Sequence, residues 1–250
     1  MTRPDRKAHE RGAGEGSVRW IAHERRETVL VGAEKHAQSA GMTLNEKSRP
    51  RRPLVLASAS AARTSLLATA GIEHRVEVSH VDESQIQHPL TRDRVLALAL
   101  AKAEAVAPRV ADGLVLGCDS LLDVAGRALG KPRSAGEAAE YWGQFAGRTA
   151  RLLTGQALLV VENGIVLQRA SAVAETELSF GRPSPAQLAA YIATGEPLST
   201  AGAFTLEGRS APFIERISGA PSTVLGLSLP LLQRLLEEVG SSVEQHWRTQ

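Results

Sequence analysis

The chain has 250 residues, is 43% hydrophobic and carries a formal net charge of +2. No apolar run is long enough to span a membrane and the charged N-terminus lacks a signal-peptide core. One cysteine, Cys118, excludes an internal disulfide, so a cytoplasmic protein is expected.

Aromatic residues are only 4% of the chain, so a core of Ala, Val, Leu and Ile is expected. Residues 1–52 hold 12 Lys/Arg against 7 Asp/Glu, and the remaining 198 hold 17 against 20. The basic character thus belongs to the leader. A body with a slight acidic excess is not built to follow a nucleic-acid backbone. Neither a nucleic acid nor a membrane is an expected partner.

Residues 1–52 read as a disordered basic extension, with a short helix over 20–40 and a proline-bounded basic linker over 47–53. The body, residues 53–240, opens with the apolar run Leu54-Val55-Leu56. Small residues follow, then a helical Ala/Leu segment closed by Gly71. Residues 74–78 have strand character, and 79–89 are loop. A helix is predicted over 91–107, stopped by Pro108. Residues 113–117 form a buried strand that delivers Cys118-Asp119-Ser120 at its end, and 121–129 form a strand, turn and return. Ser134 caps a helix to Phe145, with Glu137 completing a capping box. Strands over 151–161 and 165–178 meet at Glu162-Asn163-Gly164, a hairpin pattern. A helix over 184–194, short strands over 212–217 and 223–225, a helix over 228–239 and a tail over 241–250 complete the chain. Helices and strands alternate without an internal repeat, which predicts an α/β fold with a mixed sheet flanked by helices.

A strand running through Ser58 and Ser60 into a helix N-terminus is a ready anion site, because the first helical N–H groups lack internal partners. Arg63 adds a planar donor fork. The alternative is a serine-capped helix with a solvated arginine. Asp119, beyond an apolar strand, lies where open α/β sheets place their ligands; it can take a proton from water or bind a hard cation, or it can simply cap a turn. Lys131 precedes a proline and is therefore held extended, suited to phosphate or left at the surface. Lys102 sits in an alanine-rich helix. Asp82-Glu83 offers carboxylates to a metal or to solvent. Arg148 follows a glycine at a helix end, where the dipole favours a cation in any case. The single cysteine and scattered histidines offer no zinc cluster, and neither a G-x-S-x-G elbow nor a Rossmann fingerprint is present.

The ordered set Ser58-Ala-Ser60-Ala-Ala-Arg63, Asp82-Glu83, Lys102-Ala103, Gly117-Cys-Asp119-Ser120, Leu129-Gly-Lys131-Pro132, Gly147-Arg-Thr149, Gly195-Glu196-Pro197 and Ala201-Gly202-Ala203-Phe204 resembles the Maf family. The likeness covers about residues 54–238. It implies a fold akin to inosine triphosphate pyrophosphatase, with a central cleft. The implied activity is that of a house-cleaning enzyme splitting noncanonical or pyrimidine nucleoside triphosphates into the monophosphate and pyrophosphate. The implied cofactor is a divalent cation, magnesium or manganese, held by Glu83 and Asp119. Asp119 falls on the family's catalytic base. Ser58, Ser60, Arg63, Lys102 and Lys131 fall on its phosphate-binding positions. A homodimer is also implied. Three departures stand out: Ala61-Ala62-Arg63 replaces Pro-Arg-Arg, Asp119-Ser120 replaces Asp-Thr, and Glu207-Gly208 replaces the Gln-Gly of dTTP/UTP pyrophosphatases. Glu207 is acceptor-only where glutamine also donates, so Ser120 and Glu207 are where base preference is expected to be set.

Three rival functions are distinguishable by product. A nucleotide-binding regulator of septum formation would release no pyrophosphate. A monophosphatase would release orthophosphate. An RNA-associated protein would lose salt-sensitive binding with its leader.

Overall fold

The computed structural model describes residues 51–248; the helix expected over 20–40 and most of the basic leader lie outside them. Seven strands form one sheet: β1 (Leu54–Leu56), β2 (Arg75–Val76), β3 (Gly113–Val124), β4 (Arg127–Leu129), β5 (Thr149–Glu162), β6 (Ile165–Phe180) and β7 (Ile214–Ser218). The order is β2-β1-β3-β5-β6-β7, with β4 paired to β3. β1 is parallel to β2 and β3, and every other pairing is antiparallel, so the sheet is mixed as expected. The helices are α1 (Ala61–Thr69), α2 (Thr91–Val106), α3 (Ala135–Phe145), α4 (Pro185–Ala193), α5 (Pro221–Val224) and α6 (Leu229–Glu238).

The long hairpin forms as its sequence dictates. Glu162 pairs with Ile165 across Asn163 and Gly164, whose φ angles are 52° and 74°. A two-residue turn matching strand twist needs positive φ at both positions, which asparagine and glycine tolerate.

β3 is one strand of 12 residues, not a strand ending at Gly117 followed by a second. The polar triplet Cys118-Asp119-Ser120 would break a lone strand. Here β5 pairs with β3 from Gly113↔Val161 to Asp123↔Arg151 and carries the triplet through. Thr223 is helical, not in a strand, because Pro221 at the first position of α5 presets a helical φ and lacks only an N–H the helix does not use. At Ser134 the hydroxyl accepts from Glu137 N, but the Glu137 carboxylate turns to Arg133 N, 2.7 Å away, so the box is incomplete. The complete box lies at Ser184–Gln187.

α2 covers one sheet face, meeting Val55, Val115, Leu159 and Val161 through Ala99, Ala103 and Val106. α1 and α6 cover the opposite face through Leu67, Leu231, Leu232 and Leu235. A separate core gathers Tyr141, Trp142, Phe145, Phe180, Tyr191 and Phe204, with Phe213 against it. The few aromatic residues are therefore concentrated beneath α3 and α4, and the aliphatic core expected from composition describes the rest. The segment after α6 is tied back to the body. Residues 243–246 form a 3-10 turn, His246 is buried, its carbonyl accepts from Glu73 N at 2.7 Å, and Arg248 N reaches Gly71 O at 2.8 Å.

Candidate active site

The parallel pairing of β1 with β3 ends at Leu56↔Leu116, where β1 turns into the Ser58 loop. Asp119 is thus mid-strand in β3 yet beyond the end of β1, facing the crevice that opens there. Two glycines bring α2 onto this part of the sheet. A Cβ on Gly117 would stand 2.0 Å from Ala99 O, and one on Gly155, the cross-strand partner of Asp119, would stand 2.3 Å from Val95 O. Without side chains there, α2 lies directly on β3 and β5. Lys102 then enters beside Asp119, while Thr91 at the other end of α2 donates to Asp123 Oδ2 at 2.5 Å.

Lys102 Nζ lies 2.5 Å from Asp119 Oδ1 and 2.7 Å from Glu83 Oε1. Asp119 and Lys102 are only 6% and 7% exposed. Burial pushes the Asp119 carboxyl above the ordinary aspartate range; Lys102 and then Arg63 pull against that rise. Buried charges require such pairing. Of the acidic pair only Glu83 joins the cleft. Asp82 is exposed and caps the 3-10 turn over 83–85, where the Ser84 hydroxyl and N–H hold its carboxyl below the usual value.

Arg63 does not present a free fork. Its Nε donates to Gly226 O at 2.7 Å, Nη1 to Cys118 O at 2.9 Å and Ser58 Oγ at 3.1 Å, and Nη2 to Ser120 Oγ at 3.2 Å. Four of its five N–H groups are engaged by protein acceptors. Neither solvated nor poised for bidentate phosphate binding, it is a buried tie between α1, β3 and the turn after α5. Ser60 caps α1 by accepting from Arg63 N, and Ser58 Oγ accepts from Ser60 N at 3.2 Å. Ser120 Oγ lies 2.9 Å from Thr154 Oγ1, which donates to Thr223 O at 3.0 Å. Cys118 is fully buried and burial drives its thiol up to about 11, which leaves it protonated and inert.

Nine of the residues singled out from sequence, Ser58, Ser60, Arg63, Glu83, Lys102, Asp119, Ser120, Lys131 and Glu207, line one cleft of about 700 Å³. Arg148 does not; it reaches back to Gln144 O at the end of α3. Sequence reasoning missed Arg94, which lines the cleft with Leu98 and Lys102. The signal was available, since positions 94, 98 and 102 share a helix face. The hub of Thr154, Thr223 and Gly226 carried no such helix-face signal, because Thr154 lies 69 residues from Thr223.

The Asp119 and Glu83 carboxylates converge on one ammonium, so both have oxygens close to a shared point. That donor set fits a magnesium-type ion shared with substrate phosphates, which needs one or two carboxylates rather than a protein cage. No group of three or more His, Cys, Asp or Glu able to hold a metal occurs among the described residues.

The sequence profile of a family described as Maf-like protein matches residues 53–239. A Streptomyces coelicolor protein named nucleoside triphosphate pyrophosphatase is 50% identical over 201 residues, covering 80% of this chain and 96% of its own. One of that name from Saccharopolyspora erythraea is 51% identical over 202 residues, covering 77% and 96%. A third, from a Synechococcus strain, is 46% identical over 196 residues, covering 78% and 98%.

Proposed function

Because the chain belongs to the family of Maf-like proteins, we propose that it hydrolyses nucleoside triphosphates to the monophosphate and pyrophosphate. The observation that carries this reading is the buried Asp119–Lys102–Glu83 cluster, which shares a cleft with the serine-capped N-terminus of α1.

Asp119 is the general base. Its Oδ1 is held by Lys102, and its Oδ2, with no hydrogen bond among the described residues, can accept a proton from water. The water oxygen bonds to the α-phosphorus, the bond from that phosphorus to the α–β bridging oxygen breaks, and pyrophosphate departs with the bridging oxygen. Lys102 stabilises charge that grows on the phosphoryl oxygens, and it keeps Asp119 ionised in a buried setting. Lys131, exposed at the cleft wall, is a second cation for the phosphates. Ser58 and Ser60 supply hydroxyl donors at the positive end of α1. Asp119 and Glu83 would hold a magnesium or manganese ion, which when bound neutralises phosphate charge and polarises the attacked group. Ser120 and Glu207 take the part of specificity residues. The resemblance adds a homodimer, which sedimentation would detect, and the single cysteine fits a cytoplasmic setting. Among the described residues no helix is long and apolar enough to cross a membrane.

The test is product analysis on a panel of nucleoside triphosphates with magnesium or manganese. Equal amounts of monophosphate and pyrophosphate are expected, with turnover lost in EDTA and restored by metal. Orthophosphate as the product would reject the reading.

A further inference from the structure

Arg94 has no established part in the reaction, yet its setting is costly for a cation. It follows the first residues of α2, a 16-residue helix whose cap residue, Leu90, makes no side-chain hydrogen bond to the helix start. The positive end of a helix disfavours a nearby cation. The Nε of Arg94 is buried without a hydrogen-bond partner, and no carboxylate among the described residues pairs with the guanidinium. A buried donor left unmet is destabilising, more so when charged. Both penalties vanish if an anion occupies the cleft beside it.

The other cations of the cleft sharpen the assignment. Arg63 has four N–H groups committed to Gly226, Cys118, Ser58 and Ser120. Lys102 is held between two carboxylates. Of the cations that line the cleft, Arg94 and Lys131 are the two with no donor committed to a protein group among the described residues. Arg94 shares its helix face with Lys102, two turns and about 12 Å along the axis towards the Asp123 end of β3. From that cleft wall a long side chain can reach an anionic group of a ligand that also meets Lys102.

We propose that Arg94 binds the terminal phosphate of the triphosphate and the pyrophosphate that leaves with it. This rests on the functional reading above. The fork that sequence alone assigns to Arg63 is supplied instead from α2, where the planar guanidinium pairs two phosphate oxygens at once. Arg94 is a binding residue for the leaving group and takes no proton.

The experiment compares the full-length wild type with Arg94→Ala and Arg94→Lys in the presence of magnesium. Three probes are used: α,β-methylene nucleoside triphosphates carrying different bases, the matching monophosphates, and inorganic pyrophosphate as inhibitor. In Arg94→Ala the analogue Kd and the pyrophosphate inhibition constant are expected to rise about tenfold or more, as loss of a charged hydrogen bond requires. Monophosphate binding should stay within about twofold on the same scale. The rise should be the same for every base, and Arg94→Lys should recover part of it. If Arg94→Ala does not fold, Arg94→Gln replaces it with the same expectations. Unchanged analogue and pyrophosphate binding would overturn the assignment. So would an equal loss for the monophosphate, which marks a structural role, or a loss confined to some bases. A wild type that binds pyrophosphate through Arg94 but splits no triphosphate would reject the functional reading and spare the anion site. A wild type that binds none of the probes would reject both.

Discussion

Asp119 and Arg63 are both buried charges, and they solve the same problem differently. Asp119 is kept beside one ammonium, that of Lys102, and its carboxyl is pushed up by burial. A base must be ionised to act, so the acid limb of the pH profile of kcat/KM should lie above the ordinary aspartate value of about 3.9. Replacing Lys102 by methionine removes the largest influence that lowers the Asp119 pKa. The limb should then move to higher pH as well as losing height; an unmoved or lowered limb would contradict the assignment. Arg63 is instead fixed by carbonyls and hydroxyls on three segments. Arg63→Ala leaves buried acceptors unmet and should lower unfolding stability by about 2 kcal/mol or more in urea titration. Unaltered stability with a raised KM would restore the phosphate-fork role. At this scale the sequence revealed which residue types gather but not what they bond. Nothing in Ser-Ala-Ala-Arg tells that Gly226 and Cys118 offer their carbonyls to Arg63.

Gly117 and Gly155 decide where α2 sits, because backbone of α2 fills the space a methyl group would need. Gly155→Ala should displace the helix, lower stability by about 1–3 kcal/mol and draw Lys102 away from Asp119. Thermal unfolding together with kcat checks this; a stable variant with full turnover would show that α2 tolerates the shift. The C-terminal turn offers a second test. Burial lowers the pKa of His246, as does the Arg51 charge, while Glu244 opposes them. A lowered folded-state pKa means that the unfolded chain binds more protons just below the ordinary histidine value of about 6.5. Docking should therefore be secure above that value and weaken as pH falls towards the folded-state pKa. The protection factor of the Glu73 amide, whose N–H bonds to the His246 carbonyl, should fall from pH 7.5 to 5.5 in wild type once the intrinsic slowing of exchange is divided out. A protection factor that is flat over this range would contradict it. Elements with local punctuation were readable, as Asn163-Gly164 and Ser184 show. β3 was not readable as one strand, because its continuity comes from β5 across the sheet. Residues 241–248 read as a tail because two apolar side chains, Val243 and Trp247, are a faint signal for docking.

Across the whole molecule, charge and aromatic residues are unevenly distributed, and both patterns bear on function. The matched family profile begins at residue 53, after the basic excess of the leader. Deleting residues 1–50 should leave kcat/KM within about twofold, a difference well under 1.4 kcal/mol. A larger loss would give the leader a part in catalysis. The family's order of motifs made the fold class and the membership of the cleft legible before any coordinates. The helix face that Arg94 shares with Lys102 was legible too, but only the close approach of α2 to the sheet turns that face into a cleft wall. The account as a whole stands on Asp119. Its most direct test measures pyrophosphate release by wild type and Asp119→Asn side by side, with binding of an α,β-methylene triphosphate as the control for an intact cleft. The account predicts loss of turnover by at least about a hundredfold, the scale of a missing general base, with binding retained. Wild-type release of pyrophosphate by Asp119→Asn would contradict it.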